Sequence, residues 1–335
     1  MKILRLFRSF GPLCFVGILV ASCRGTQGPV ESKEQIFGLN FAGVPKKEIS
    51  IQGRQANVYY KKRDNGKRPL LLFLHGFGNE PEQLARLFDM PYNFERENFV
   101  LLIPRGILGA VKDSNEKKLY WNATDDCCGL EKPNDDAYLV ELVRRTISDP
   151  DLAIDSKEVY IFGYSNGAFM GYTLACNHAD LFRGLIAYAG SSHGDANQCK
   201  PSQGVHILHV HGTNDRLIRF DSPNQKPPSS ETLWFPPPAE IVARWANHNR
   251  CFSGKTSEKV SLMSLNIQPD PSFDASEPPL IRQHGLFNDD KETEVETYQN
   301  CEMGKVEFWK VSGGTHFNFF NRGTFRRAWK FIQSP

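Results

Sequence analysis

Gly163-Tyr164-Ser165-Asn166-Gly167 is a G-x-S-x-G pentapeptide, and its central serine has the setting of a nucleophile. The apolar Val159 to Phe162 leads in, and the small residues Gly167, Ala168, Gly171 and Ala175 lead out, as a sharp strand-to-helix turn requires. A serine hydroxyl is a poor nucleophile at neutral pH. A working Ser165 therefore needs a histidine base, an acid to orient that histidine, and N–H donors for the developing oxyanion. Without them the pentapeptide is only a serine in a glycine-rich turn. Among nine histidines, His316 follows the apolar Val306 to Val311 through Ser312-Gly313-Gly314-Thr315 and is the candidate base. Asp215 ends His211-Gly212-Thr213-Asn214-Asp215 after Val205 to Val210 and is the candidate acid, a turn-forming aspartate being the plainer alternative. Asp195 also follows an apolar run but falls too early in the chain for the acid's usual place. His75-Gly76-Phe77-Gly78 follows Leu70 to Leu74, so the Phe77 N–H joins that of Asn166 as the candidate oxyanion hole. No cofactor is required by this chemistry. His209 and His211 alternate on one strand face, but no third ligand cluster accompanies them, so they read as structural and no metal site is expected.

These residues need a rigid carrier. Leu70 to Leu74, Phe99 to Ile103, Val159 to Phe162, Leu185 to Tyr188 and Val205 to Val210 are short, nearly continuous apolar runs, as in strands covered on both faces. Helical periodicity lies between them, clearest in Leu139, Leu142, Val143 and Ile147 after the acidic Asp135-Asp136, which suits a helix start. Alternating strands and helices predict an α/β architecture, a mostly parallel central sheet with helices on both faces. Ile49 to Gly53 and Ala56 to Tyr60 read as a hairpin opening the sheet, and a helix bearing Phe325, Ala328, Trp329 and Ile332 closes it. Residues 252–300, polar and interrupted by Pro269, Pro271, Pro278 and Pro279, read as an insertion.

The N-terminus has a different task. Lys2, Arg5 and Arg8 precede an apolar run from Leu13 to Val20 that is too short to span a bilayer, so residues 1–22 read as an export signal. Val20-Ala21-Ser22-Cys23 resembles a bacterial lipobox, with Cys23 as the lipidated residue, and residues 23–45 as a tether to a catalytic domain over 46–335. The expected location is the cell envelope, held by lipid, with the outer membrane favoured by Arg24, or the extracellular space. Loss of the three basic residues takes the formal charge from +2 to −1, and no basic cluster remains, which argues against a nucleic-acid partner. Six cysteines remain beyond Cys23, an even count that points to disulfides in an exported protein. Cys176 and Cys199 form one candidate pair, because one ends the helix after Ser165 and the other follows the next strand.

Taken together, the chain resembles the secreted polyhydroxybutyrate depolymerase and feruloyl esterase-like enzymes of the α/β-hydrolase superfamily. The resemblance spans roughly residues 50 to 335 and rests on His75 to Gly78, Trp121 with Cys127-Cys128-Gly129, Asp135-Asp136, the Ser165 pentapeptide, His211 to Asp215, Trp245 to Cys251, and Gly313 to His316. It implies Ser165 as nucleophile, Asp215 as acid, His316 as base, and hydrolysis of carboxylic esters through an acyl-enzyme. It also favours a Cys251–Cys301 disulfide, leaving Cys127 and Cys128 to bond each other or stay reduced. The insertion looks longer than the family's, and no polymer-adsorbing domain follows the closing helix, so soluble or oligomeric esters are the expected substrates. Trp121 and Trp234 are candidates for stacking on a flat acyl group, with a core role as the alternative. A peptidase on the same fold and a non-catalytic surface binding protein are the rival readings.

Overall fold

A ten-stranded sheet carries the molecule, and its centre is built from the apolar runs. The computed structural model describes residues 41–62, 66–110, 116–124, 127–223, 234–263, 291–318, 320 and 323–335. The export signal, Cys23 and most of the tether lie outside the described residues. Strands β1 (Lys46–Ile51), β2 (Arg54–Tyr59), β3 (Arg68–Leu74) and β4 (Val100–Pro104) are followed by a separate hairpin of β5 (Ile107–Ala110) and β6 (Lys117–Tyr120). Then come β7 (Ile154–Tyr164), β8 (Gly184–Tyr188), β9 (His206–Gly212), β10 (Lys255–Val260), β11 (Thr293–Tyr298) and β12 (Val306–Val311). The sheet order is β1-β2-β4-β3-β7-β8-β9-β12-β11-β10. The six strands from β4 to β12 in that order are parallel, and the outer pairs on both sides are antiparallel. The β1–β2 turn uses Gln52 and Gly53, both left-handed at φ 54° and 75°, which matches the twist of a two-residue hairpin.

Alternate residues of each central strand feed opposite cores. Leu70, Leu72, Leu74 and Ile161 pack with α3 (Asp135–Ile147), α4 (Asn166–Asn177) and α5 (Pro238–His248). Leu71, Phe73, Tyr160 and Phe162 pack on the other face with α1 (Pro81–Leu87), α2 (Met90–Glu97) and α6 (Thr324–Gln333). The helices on both faces shield the strands from water, and this explains why their sequences are apolar on both sides. This is the α/β-hydrolase arrangement. Asp135 is the first residue of α3, but Asn134 is the cap, its side chain accepting the Ala137 N–H at 3.0 Å. The Asp135 carboxylate is buried, pairs with Arg54 and accepts the Asn122 N–H at 2.6 Å, so it anchors the hairpin as well as starting the helix.

Both ends of the stretch read as an insertion are sheet. β10 and β11 extend the sheet beyond β12, while residues 264–290 lie outside the described residues. β10 is an exposed edge strand carrying Lys255, Glu258 and Lys259, a charged pattern that discourages edge pairing with other chains and conceals a strand from a search for apolar runs. The cysteines pair as Cys176–Cys199, Cys251–Cys301 and Cys127–Cys128. Cys251–Cys301 closes a separation of 50 residues that includes β10 and β11. A loop of that size is worth about 4 kcal/mol in the chain-entropy account.

Candidate active site

Ser165 stands between β7 and α4 with φ 53° and ψ −120°, a strained conformation for a residue with a Cβ. The neighbouring glycines make it possible. A Cβ on Gly167 would lie 2.2 Å from the Leu74 carbonyl oxygen, and one on Gly163 would lie 2.4 Å from the Gly167 oxygen. Close approach of β7, α4 and β3 therefore holds the elbow. The Ser165 N–H donates to the Tyr188 carbonyl at 2.8 Å, tying the elbow to the end of β8.

His316 and Asp215 arrive on two loops that are laced together. Thr213 N–H donates to Val311 O at 2.9 Å, Asn214 N–H to Gly314 O at 2.7 Å, and Gly313 N–H to Thr213 Oγ1 at 2.8 Å. A Cβ on Gly212 would meet the Gly314 oxygen at 2.4 Å, so this lacing requires glycine there. Tyr164 and Tyr188, at the ends of β7 and β8, donate their hydroxyls to the carbonyls of His316 and Asn318. With both loops fixed, His316 Nε2 lies 2.9 Å from Ser165 Oγ and His316 Nδ1 lies 2.7 Å from Asp215 Oδ2. The carboxylate can only accept, so Nδ1 carries the proton and Nε2 presents its lone pair to the serine hydroxyl. Asp215 Oδ1 accepts the N–H groups of Leu217 and Ile218, each at 2.9 Å. Burial pushes the Asp215 pKa upward, but the His316 charge and the hydrogen bonds from His211 and His316 outweigh it and hold the carboxyl well below its ordinary range. The plainer reading of Asp215 as a turn former is also partly right, since Oδ1 caps its own turn. Asp195 does the same at the short 3₁₀ turn Ala196–Gln198 and takes no part in this site.

The second half of the site is the loop after β3. His75 is buried, with Nδ1 2.8 Å from the Gly76 carbonyl and Nε2 accepting the Gly106 N–H at 3.0 Å. A Cβ on Gly76 would press on Asn79 and the Tyr164 ring, at 2.6 and 2.9 Å. Asn166 opens α4, where its N–H has no carbonyl from its own helix. Among the described residues, neither that N–H nor the Phe77 N–H has a protein acceptor.

Trp121 corrects an expectation. Its side chain is fully buried, packed against His75 and beneath the Arg54 guanidinium, and has no face open to a substrate. It works instead as a clamp. The indole N–H donates to His75 O at 2.9 Å, while the Trp121 backbone exchanges two hydrogen bonds with the Asn166 side chain, at 2.7 and 2.9 Å. One residue thus ties the β3 loop to the helix behind Ser165. Trp234 is half-buried against Gly194, on the loop leaving β8, and donates its indole N–H to Pro223 O at 2.8 Å. Asn166 also brings the Cys127–Cys128 disulfide to the site, its Nδ2 lying 3.4 Å from Cys127 Sγ.

Three buried histidines are held neutral, and this sets an acid limit on stability. Burial lowers His75 to about 4 despite its bond to Gly76. Burial with nearby Arg183 and Lys305 lowers His206 to about 4, and burial with His211 lowers His209 well below its ordinary value. Each is depressed in the folded state, so the unfolded chain binds more protons between roughly pH 6.5 and pH 4. Stability should therefore be full above that window and fall through it, with a slope approaching three protons, about 4 kcal/mol per pH unit. Urea melts at closely spaced pH values measure this slope. A flat profile between pH 6.5 and 4.5 would contradict the burial of these rings.

No group of three or more metal-ligating side chains is found among the described residues. Residues 57–226 match the phospholipase/carboxylesterase family. Among curated proteins, the chain is 26% identical over 178 residues to the putative esterase NocK of Nocardia uniformis subsp. tsuyamanensis, covering 52% of this chain and 48% of that protein. It is 25% identical over 183 residues to feruloyl esterase D of Neurospora crassa, covering 54% and 47%. The chain thus spans about half the length of these relatives. The acetyl xylan esterase from Aspergillus awamori shares the fold, with a TM-score of 0.55 at 13% identity over 86% of this chain and 99% of that one. The likeness to feruloyl esterases expected from the motifs is borne out.

Proposed function

The chain belongs to the phospholipase/carboxylesterase family, and from the geometry of its site we propose that it is a serine esterase. The observation that carries this reading is the continuous contact from Ser165 Oγ through His316 to Asp215, at 2.9 and 2.7 Å. Ser165 Oγ attacks the ester carbonyl carbon while His316 Nε2 takes the hydroxyl proton. Asp215 holds the imidazole and stabilises its charge, and the oxyanion is received by the free N–H groups of Phe77 and Asn166. His316 then protonates the departing alcohol, leaving an acyl-Ser165. Water attacks that ester with His316 again as base, and Ser165 regains its proton. Every proton transfer is assigned to residues already in contact, so Asp136, which pairs with His178, has no part in it.

The substrate class we propose is a soluble or oligomeric ester of hydroxycinnamoyl, acetyl or 3-hydroxybutyrate type. The likeness to feruloyl esterase D supports the first of these. Half-buried Trp234, which lies against Gly194, is the aromatic surface we assign to a flat acyl group. Purified protein should hydrolyse at least one member of a panel of feruloyl, acetylated-sugar, short aliphatic and 3-hydroxybutyrate esters while leaving peptides intact. Peptide cleavage would favour a peptidase, and no turnover at all would favour a binding protein.

Lipid anchoring through Cys23 belongs to the same proposal, supported by the basic and apolar signal segment before it. Cys23→Ser should move the protein from the membrane to the soluble fraction with esterase activity intact, because a single site supplies all the acyl chains. Protein that stays with the membrane after a salt wash would refute the anchor.

A further inference from the structure

Asp215 is gripped by two imidazoles. Besides His316, the fully buried His211 places Nε2 3.1 Å from Asp215 Oδ2 and 2.8 Å from the Ile218 carbonyl oxygen. Its other nitrogen, Nδ1, lies 3.1 Å from His209 Nε2, and His209 Nδ1 lies 2.8 Å from the Tyr172 hydroxyl. Tyr172 is buried on α4, two turns beyond Ser165.

Proton positions along this chain follow from its ends. The Ile218 carbonyl and the ionised Asp215 only accept, so His211 Nε2 carries a hydrogen. In a neutral ring Nδ1 then accepts, which requires His209 Nε2–H as donor. His209 Nδ1 accepts in turn, and the Tyr172 hydroxyl donates to it. All four groups are dry, and burial holds His209 neutral and Tyr172 protonated. The donors all point one way, toward the carboxylate.

We propose that Tyr172, His209 and His211 form a positioning relay that closes a circuit behind the site, running from Ser165 through His316, Asp215, His211, His209 and Tyr172 back along α4 to Ser165. The proposal rests on the triad reading above. Asp215 accepts three N–H bonds, from Leu217, Ile218 and His316, and His211 Nε2, whose hydrogen bonds the Ile218 carbonyl, lies 3.1 Å from Oδ2 and braces that edge independently of His316. His211 is a positioning residue, acting through Asp215 and touching no substrate. The relay also explains why two histidines occupy one face of a fully buried strand with no metal required to satisfy them.

The test compares His211→Gln, which keeps an N–H near the Nε2 position, with His211→Phe, which fills the space and removes the donor. With an ester turned over by the wild type, His211→Phe should lower kcat about tenfold to a hundredfold, as expected for one lost charge-assisted contact, with KM within about twofold. His211→Gln should recover most of that loss. Equal impairment of the two variants, or a folded His211→Phe enzyme with wild-type kcat, would overturn the relay while leaving the esterase reading intact. The wild-type protein supplies a readout that needs no variant to fold. Two-bond nitrogen–proton imidazole spectra in neutral buffer should show His209 and His211 with their hydrogens on Nε2 and none on Nδ1. A hydrogen on Nδ1 of either ring would equally overturn it. Absence of ester turnover in the wild type with these tautomers present would instead refute the esterase reading alone.

Discussion

Ser165→Ala is expected to lower kcat on any ester the protein hydrolyses by about a million-fold, and combining it with His316→Ala should cost little more. The reason is the contact geometry. His316 Nε2 has one task, to take the proton of the Oγ 2.9 Å away, and without that oxygen its basicity does nothing for the substrate. Removing the histidine alone should cost nearly as much, because the unassisted hydroxyl is a weak nucleophile. A residual rate above water should persist in all three variants, supplied by binding and by the Phe77 and Asn166 donors. Steady-state kinetics of the two single mutants and the double mutant measure this. Losses that multiply would show that the two residues act independently and would break the triad.

Asp215→Asn is expected to cost about ten-thousand-fold in kcat with little change in the fold, and the surroundings of the carboxylate say why. Oδ1 accepts the Leu217 and Ile218 N–H groups, and Oδ2 accepts from His316 with His211 Nε2 3.1 Å away. An amide has only one acceptor oxygen. If its NH₂ faces the backbone pair, it meets two donors that cannot change. If it faces the histidines, His316 can accept by moving its proton to Nε2. In that second arrangement the His211 N–H keeps its bond to the Ile218 carbonyl and the remaining buried groups are satisfied, but Nε2 of His316 no longer accepts the Ser165 proton. The tautomer that rescues the fold is the one that stops the chemistry. A His316 imidazole spectrum of the variant that still shows Nδ1–H, together with the loss of rate, would refute this cause.

The sequence made the site legible where chemistry constrains single positions. Ser165 needed small neighbours, and Gly163 and Gly167 show that need directly. The acid and base each followed an apolar strand, so the parallel core of the sheet and the catalytic loops came from the same pattern. Less legible were residues whose role depends on a partner distant in the chain. Trp121 has the composition of a substrate platform, and only its burial against His75 and Asn166 turns it into a clamp. His209 and His211 read as structural from their alternation, and only the fold shows their contacts with Tyr172 and the Ile218 carbonyl. Tyr164 and Tyr188 gave one usable signal: a buried strand ending in an aromatic with a polar tip needs an acceptor. β10 and β11 escaped because both are charged and leave no apolar run.

The central claim is that Ser165 is the nucleophile of an ester hydrolase, and covalent labelling reaches it most directly. Purified protein treated with a fluorophosphonate should gain one adduct, mapped by peptide mass spectrometry to Ser165. Ser165→Ala should gain none, and His316→Ala should label far more slowly. A folded wild-type protein that resists labelling, or an adduct on any residue other than Ser165, would contradict the account.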